Sequence, residues 1–311
     1  MTLFPRMRVV ANLNEMRRSL SADTLQEDLM PRASRDLACL VAVLVLPLVN
    51  CTTPDEVSKF CVSASTTLTS ASVVFDDMKL SCLREVNSRD EFGTFRPPVQ
   101  SDENCNAIGD QAVGAAAAAK VLSDYFSAIN SLASFGTAKA GTNAQSLLSK
   151  TGAAVGESSS AQTALGSIAQ FLVSAATSGY QRRQLEKDLP KVSANVSAVV
   201  SALITIVHDD YIDRQLGSEE QKLAVRYREF AKDKSPEIKL LLDDRWHADE
   251  QALAAKRASA QSLITALQSL SKGFADLAAN AHQLRAKEVS GLLGPYATQL
   301  QALIPQIQKG F

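Results

Sequence analysis

From residue 57 onward, apolar and small residues recur at alternating steps of four and three, which is the spacing of one face of an α-helix. In the first segment this line of residues, here called the seam, comprises Val57, Cys61, Ala64, Leu68, Ala71, Phe75, Met78 and Cys82. The Ser, Thr and Val content of 63–74 would also suit a strand, but a strand would not keep this spacing over about seven turns. The pattern predicts one long helix, opened by Thr53 as N-cap with Pro54 and Glu56 behind it.

Further helical segments follow, separated by polar stretches at 87–104 and 137–157. A second helix is expected to end at Gly136, after the seam Ile108, Ala112, Ala115, Ala119, Leu122, Phe126, Ile129 and Ala133. A third starts at Ser159 and carries Ala161, Leu165, Ile168, Leu172, Ala175 and Gly179. A fourth, to about residue 233, carries Val192, Val196, Val199, Val200, Leu203, Ile204 and Val207. Pro190 should kink or restart the chain ahead of it.

Pro236 starts the longest predicted helix. Its sevenfold repeat comprises Trp246, Leu253, Ala260, Leu267, Phe274 and Ala281, interleaved with Leu263, Leu270, Leu277 and Leu284. A helix from 236 to 290 would be roughly 80 Å long, and a short final helix then closes the chain. Aromatic residues make up only 5% of the chain while Ala, Leu and Ser recur, a composition typical of long helices. The sequence therefore predicts an all-α fold, an elongated antiparallel bundle of five or six long helices.

The N-terminal region has a different pattern. Residues 37–49 are apolar throughout, and a spanning helix needs about 20 such residues whereas a secretory signal needs roughly 7–15. If translation starts at Met30, the basic residues Arg32 and Arg35 precede this run as they do in a signal peptide. The alternative is a buried helix of a cytosolic protein. We therefore expect 1–50 to be a signal region, with Met30 as the true start, and 51–311 to form a single helical domain.

The residues Leu48-Val49-Asn50-Cys51 resemble the lipobox of bacterial lipoproteins, in which a Leu stands three positions before a lipidated cysteine. Asn50 departs from the pattern, since Gly, Ala or Ser is preferred there. The resemblance implies that Cys51 carries a lipid and that this lipid anchors the protein to a membrane. In sorting of the enterobacterial type an Asp after the cysteine retains a lipoprotein in the inner membrane. Thr52 therefore favours the periplasmic face of the outer membrane.

Export would place three further thiols, Cys61, Cys82 and Cys105, in an oxidising compartment. Cys61 and Cys82 would lie about 31 Å apart on one helix, far beyond the roughly 4.4–6.8 Å between Cα atoms that a disulfide tolerates. Cys82 ends the first predicted helix and Cys105 begins the second, at the same end of an antiparallel hairpin. We therefore predict a disulfide between Cys82 and Cys105. The alternative is three free cysteines packed in the core.

Charge argues against nucleic acid as a partner, because 32 Lys and Arg residues are balanced by 33 Asp and Glu residues. Metal binding has weak candidates. Asp243, His247 and Glu250 have the spacing of ligands on one helix face, as have Asp209 and Asp213. No Glu-x-x-His pair of the kind used in di-metal bundles occurs, so a solvated charged face is the simpler explanation and we expect no bound metal.

No motif predicts an enzyme or a cofactor site. The segment from Gly136 to Thr142 looks like a phosphate loop but lacks its lysine and is flanked by predicted helices. His208 and Asp209 resemble the paired residues of HD hydrolases, but the further histidines of such a site are absent from the sequence. No Gly-x-Ser-x-Gly nucleophile motif occurs. We therefore expect a protein without enzyme activity and without a cofactor.

Three runs along the chain resemble runs found in a known group of proteins. They are Leu122-Ser123-Asp124-Tyr125-Phe126-Ser127-Ala128-Ile129, Gly179-Tyr180-Gln181-Arg182-Arg183, and Lys287-Glu288 before Leu293-Gly294-Pro295-Tyr296. In these runs the chain from about 54 to 311 resembles a group of uncharacterised helical lipoproteins of proteobacteria. The resemblance implies the lipid anchor and the helical fold, and it carries over no site residue.

The expected role is that of an interaction or structural module in the bacterial cell envelope, with a protein partner that the sequence does not identify. Two alternatives are a periplasmic ligand-sensing bundle and a membrane-inserting helical protein. A basic or aromatic-lined cavity between helices would favour the sensor. An exposed apolar hairpin would favour insertion, and carboxylates converging on His247 would favour a metal site.

Overall fold

The computed structural model describes residues 55–89, 100–135, 159–177, 182–283 and 287–311, and the fold below refers to these ranges. They are 94% helical and contain no strand, which confirms the predicted all-α class. The expectations for the signal region, for Met30 and for the lipid on Cys51 lie outside the described residues. Gly136 to Thr142, whose sequence looks like a phosphate loop, also lies outside them.

Eight α-helices account for nearly all of the described chain. They are α1 Asp55–Ser70, α2 Ser72–Arg89, α3 Glu103–Phe135, α4 Ser159–Thr177, α5 Arg182–Thr205, α6 Gly217–Ala231, α7 Pro236–Ala279 and α8 Lys287–Gln308. A π-helix, Ile206–Leu216, joins α5 to α6 without a break, and a 3-10 turn, Ala281–Gln283, follows α7.

The predicted first helix is in fact two helices, which meet at Ala71. At the break the Ser72 hydroxyl donates to the carbonyl of Thr69, three residues earlier, and the N–H of Val74 bonds the carbonyl of Ala71 with the same spacing. Such bonds offer the backbone an alternative to the helical ladder. The seam itself continues across the break, since Leu68, Ala71, Phe75 and Met78 are all buried.

Two other predicted boundaries are also wrong. α5 runs through Pro190, so the chain does not restart there, while the expected kink at Pro190 stays a prediction. The helix that begins at Pro236 ends at Ala279 and not at 290. At this end the side chain of Asn280 donates a hydrogen bond to the carbonyl of Asp276. At about 1.5 Å per residue its 44 residues extend roughly 66 Å.

The π-helix follows from the positions of the buried residues in its sequence. They are Ile206, Val207, Tyr211, Ile212, Gln215 and Leu216. In an α-helix, which advances about 100° per residue, residues five apart would lie roughly 140° apart and these side chains would spread around the helix. In the i→i+5 pattern of a π-helix they stack on one side instead. The wider turn lets the chain bury all six against the bundle.

Neighbouring helices are mostly antiparallel. In the α1–α3 pair, Phe60 packs against Phe126 while Ser65 bonds Ser123 further along. There are exceptions among the described helices. The π-helix and α6 lie parallel to α2, since the Tyr211 hydroxyl donates to Asp77 and the Ser81 hydroxyl donates to Glu219 further along both. α8 lies parallel to α1: Glu56 is close to Gly294, and Ser70 is bonded by Gln308. This arrangement arises because α8 folds back antiparallel on α7, which is itself antiparallel to α1.

An aromatic cluster marks the centre of the core. It comprises Phe60, Tyr125, Phe126, Phe171 and Phe274, whose rings meet edge to face with centroids 5.1–5.9 Å apart. Such edge-to-face pairs add stability beyond their buried area. Most of the predicted α7 seam takes part in this core, since Leu253, Ala260, Leu263, Leu267, Leu270, Phe274 and Leu277 are buried.

The hairpin of α6 and the first part of α7 extends beyond this core. Leu253 is the first buried residue of α7, so Trp246, which the sevenfold repeat places in the seam, contacts Tyr227 of α6 instead. We call residues 223–252 the arm. Gly273 of α7 lies against Phe60 near the start of α1, and Pro236 is 37 residues earlier. The tip of the arm is therefore about 55 Å along the helix axis from the N-terminal end of α1.

One helical run in the described part of the chain, Gln184–Ala231, is apolar and long enough to cross a membrane. Its most apolar 18-residue window has a mean hydropathy of 1.5, and 39% of that window is buried in the bundle. The apolar residues Val196, Val199, Val200 and Leu203 face the core. A core helix has the same length and composition, so this run does not by itself favour membrane insertion.

Candidate functional site

A network of charged side chains lies where α2, the π-helix, α6 and α7 meet. At its centre the carboxylate of Asp77, only 7% exposed, accepts hydrogen bonds from three different helices. Arg84 donates from Nη1 and Nη2 at 2.9 and 2.8 Å. Lys256 donates from Nζ at 2.7 Å, and the Tyr211 hydroxyl donates at 2.7 Å.

Arg84 links Asp77 to a second buried carboxylate, that of Glu219. Its Nε and Nη2 donate to the two Glu219 oxygens at 2.5 and 3.1 Å, and the buried hydroxyl of Ser81 donates to Glu219 at 2.6 Å. Two carboxylates thus face one guanidinium and one ammonium. The network is electrically neutral and its charges are well hydrogen-bonded, as buried charges must be.

The surroundings shift the pKa values of the network in predictable directions. Burial alone would raise the pKa of Asp77, but hydrogen bonds from Arg84 and Lys256 outweigh it and hold that pKa below its usual value. Burial and the nearby Asp77 charge raise the pKa of Tyr211, so its hydroxyl stays protonated and donates. For Arg84 the bonds to Asp77 and Glu219 outweigh burial and raise the pKa.

Next to this network a cleft of about 300 Å³ opens between α2 and the root of the arm. It is lined by Arg84, Asn87, Glu219, Leu223, Arg226, Arg245, Asp249, Ala252, Leu253 and Lys256. These residues include four cations and two carboxylates. Arg84 and Lys256 belong to the neutral network, where Asp77 behind the lining is one of the two counter-charges. The remaining charges are those of Arg226 and Arg245 against Asp249, a net charge of one positive unit, so the cleft favours a negatively charged ligand.

Tyrosine and arginine side chains fix the carboxylate of Asp249 in the cleft wall. Asp249 accepts a hydrogen bond from the Tyr227 hydroxyl at 2.8 Å and forms an ion pair with Arg245 at 3.1 Å. Arg226 has a different environment, since its guanidinium lies 5.6 Å from the centre of the Phe230 ring. Within the described ranges no carboxylate lies within 4.0 Å of Arg226, and its side chain is exposed.

The predicted cysteine pair comes together beside the network. Cys82 of α2 and Cys105 of α3 lie with their Cα atoms 5.6 Å apart and their sulfurs at bonding distance, while Cys61 is buried and free. Burial raises the pKa of the Cys61 thiol, which keeps it protonated and unreactive. Cys82 follows Ser81 directly and is two residues before Arg84. The disulfide therefore ties the part of α2 that carries these network residues to the start of α3.

The weak metal candidates do not converge. Glu250 approaches Nδ1 of His247 at 3.4 Å, whereas Asp243 approaches Nε2 at 3.8 Å. One ion cannot be bound between carboxylates on opposite sides of the ring. All three side chains are solvent-exposed.

A second histidine, His208, lies close to two carboxylates, those of Asp209 and Asp213, within the π-helix. Asp209 and Asp213 lie 2.7 and 3.5 Å from the same Nδ1 of His208, and the π-helical i→i+5 spacing is what brings 208 and 213 together. The hydrogen bond from His208 to Asp209 and the charge of Asp213 raise the pKa of His208. All three side chains are more than half exposed, so they form a surface ion pair and not a buried ligand cage.

Sequence reasoning did not identify the residues of the network and cleft. One signal was available: the repeat Leu263, Leu270, Leu277 continues seven residues earlier to Lys256 and then to Asp249. A lysine and an aspartate at seam positions indicate buried or half-buried charges. Asp77 and Arg84 gave a weaker signal, because a pair of opposite charges on a helix is most often solvated.

Comparisons of this chain with protein-family models, with curated proteins and with solved structures found no match.

Proposed function

We propose that this chain is an exported lipoprotein, held at the periplasmic face of the outer membrane through Cys51, whose helical bundle senses a small anionic molecule. One observation carries the binding role: a cleft between helices, about 300 Å³ in volume, is lined by Arg84, Arg226, Arg245 and Lys256 against only two carboxylates. Clefts of this size that combine apolar walls with a few placed polar groups are typical ligand sites. A basic cavity between helices is the feature that distinguishes a sensor from a purely structural bundle.

The position of the cleft agrees with a ligand that arrives from the periplasm. Cys51 precedes α1 by four residues, a stretch of chain that reaches at most about 14 Å. Lys256 and Asp249 of the cleft are 17 and 24 residues before Gly273, which lies beside the start of α1. The cleft is therefore about 25–36 Å further along the bundle than the anchored end.

Calorimetric titration of the purified protein with acetate, inorganic phosphate and hexanoate tests this role. We expect saturable one-to-one binding of at least one anion, its loss in the double variant Arg226→Gln with Arg245→Gln, and its retention in Arg228→Gln. Arg228 is the matched control, because it is an exposed arginine on the same helix that does not line the cleft. Absence of saturable binding by every anion would refute the function, and so would unchanged binding by the double variant.

A second role, that of an interaction module, is favoured by the arm. Leu240 and Leu241 near its tip are 64% and 69% exposed. Residues 226–245 carry six basic and five acidic side chains, a near balance that gives little attraction to an anionic membrane and suits an apolar protein surface instead. The tip, about 55 Å from the anchored end, would present these leucines to a periplasmic protein.

In-cell photocrosslinking tests the interaction role. A photoreactive residue at Leu241 should capture one discrete protein, the capture should disappear in Leu240→Ser, and a probe at Val113 on α3, which is also exposed, should capture nothing. Identical capture from both positions would contradict a docking role for the arm.

A further inference from the structure

The residues of the cleft form three layers between α6 and α7. On α6, Glu219, Leu223 and Arg226 line the cleft at steps of four and three, so they follow one another along a single helix face. On the antiparallel α7 the corresponding order is Lys256 and then Leu253 and Ala252, with Asp249 and Arg245 beyond them. The base of the cleft is the ion-pair network, the middle is mainly aliphatic, and the rim is cationic.

The charges at the base are already used by the protein. Arg84 bonds Asp77 and Glu219, and Lys256 bonds Asp77. A ligand charge placed there would have to displace a buried carboxylate. The rim cations are better suited to a ligand: Arg226 has no carboxylate partner among the described residues, and Arg245 is 70% exposed with only one. An anionic head group is therefore favoured at the rim.

The middle layer excludes a fully hydrated ion as the best ligand. Leu223, Ala252 and Leu253 present aliphatic surface directly below the arginines. Inorganic phosphate at the rim would leave this surface in contact with water, whereas a methylene chain attached to the head group would cover it. Each buried methylene strengthens binding by about fourfold.

We propose that the cleft binds an amphiphile with one anionic head group, held by Arg226 and Arg245, and a short aliphatic chain that packs on Leu223, Ala252 and Leu253. This inference rests on the proposed anion-binding function and names the ligand class. The rise from Glu219 to Arg226 is about 10 Å, which limits the chain to a few carbons above the ion-pair network. The head group is a carboxylate or a phosphate monoester, since an arginine fork binds both.

The test is a calorimetric series with matched probes on the purified protein. Hexanoate should bind at least tenfold more tightly than acetate, and 1-hexanol, which has the chain without the charge, should not bind. Comparing hexyl phosphate with hexanoate identifies the preferred head group. Binding of either probe more tightly than acetate or inorganic phosphate supports the ligand class. The double variant Arg226→Gln with Arg245→Gln should lose hexanoate binding.

A second pair of variants separates the chain from the head group. Leu223→Asn should remove the advantage of hexanoate over acetate while acetate still binds, which also shows that the variant is folded. Val225→Asn is the control, because Val225 is an exposed apolar residue two positions along the same helix. If acetate, phosphate and hexanoate bind equally well, the ligand class is wrong and anion binding stands. If none of them binds, the proposed function fails as well.

Discussion

The Tyr211 hydroxyl donates a hydrogen bond of 2.7 Å to Asp77, a residue 134 positions earlier in the chain. The bond joins a π-helix to α2, and the same carboxylate also holds Arg84 and Lys256. Four separate helical segments, counting α6 through Glu219, are thus tied together by one neutral network. The cleft lies directly beside this network, so the position of its walls depends on these bonds.

Replacing Asp77 by Asn should destabilise the fold by about 3 kcal/mol, because Lys256, whose side chain is only 17% exposed, would lose its counter-charge. Asp76→Asn is the control, since Asp76 is the exposed neighbour on the same helix. Urea unfolding of both variants measures the difference. Equal stability of the two variants would contradict a structural role for the network.

The pH dependence of stability should change in the same variant. The pKa of Asp77 lies below the value of about 3.9 that it has in an unfolded chain. Its contribution is therefore fully present above about pH 4 and is lost as the pH falls through the lowered pKa. Asn at this position does not titrate, so we expect a shallower loss of stability below about pH 4 in Asp77→Asn. If the stability of Asp77→Asn fell below about pH 4 as steeply as that of the wild type, Asp77 would not be the cause of the acid dependence.

The sequence predicted the helices better than the site because the two depend on different information. A seam such as Leu263, Leu267, Leu270 and Phe274 repeats locally, so periodicity alone identifies the helix and its buried face. The break at Ala71 coincides with a bond from the Ser72 hydroxyl to the carbonyl of Thr69, and periodicity contains no trace of that bond. The π-helix likewise gives no periodic signal, because its buried residues follow neither the α-helical nor the strand period.

The charged site depends on contacts between residues distant in the sequence. Glu219 meets Ser81 only because α6 continues the π-helix, whose wider turn changes which residues face α2. The pairing of Cys82 with Cys105 was easier to predict, since it needs only one antiparallel hairpin. The metal candidates had the right spacing on one helix, but spacing does not specify which ring nitrogen of His247 each carboxylate approaches.

The disulfide between Cys82 and Cys105 should form in an oxidising compartment. Non-reduced mass spectrometry should find a peptide pair that links the two residues, and reduction should lower the free energy of unfolding by about 3 kcal/mol. In the double variant Cys82→Ser with Cys105→Ser, a reductant should have no effect. Alkylation of both thiols in the native protein without reductant would show that the bond is absent.

Lipidation at Cys51 predicts that Cys51→Ala releases the protein from membranes into the periplasm. Cys39→Ala is the matched control, because Cys39 lies within the apolar run of the signal region and should leave anchoring intact. Fractionation with labelled fatty acid measures both effects. Continued sedimentation of Cys51→Ala with the outer membrane, with no label in the wild type, would rule out the anchor.

Gly273 should not tolerate a side chain. A Cβ at this position would lie 2.6 Å from Cε2 of Phe60 and 3.0 Å from Cγ of Tyr296. Phe60 is fully buried in the aromatic cluster, so Gly273→Ala should cost roughly 1–3 kcal/mol in unfolding free energy. Gly166→Ala in α4, where a Cβ meets nothing within 4 Å, should instead stabilise by up to about 1 kcal/mol. A lower unfolding temperature for Gly273→Ala and a higher one for Gly166→Ala would confirm the tight contact between α1, α7 and α8. An unchanged unfolding temperature for Gly273→Ala would contradict it.

The most direct test of the binding role uses the single tryptophan of the chain. Trp246 packs on Tyr227, whose hydroxyl holds Asp249 in the cleft wall, and it follows Arg245 of the cleft rim. Titration with hexanoate should change the Trp246 fluorescence saturably in the wild type and in Arg228→Gln. It should leave the fluorescence unchanged in the double variant Arg226→Gln with Arg245→Gln. No saturable change in the wild type, or the same change in the double variant, would contradict an anion-binding cleft at this site.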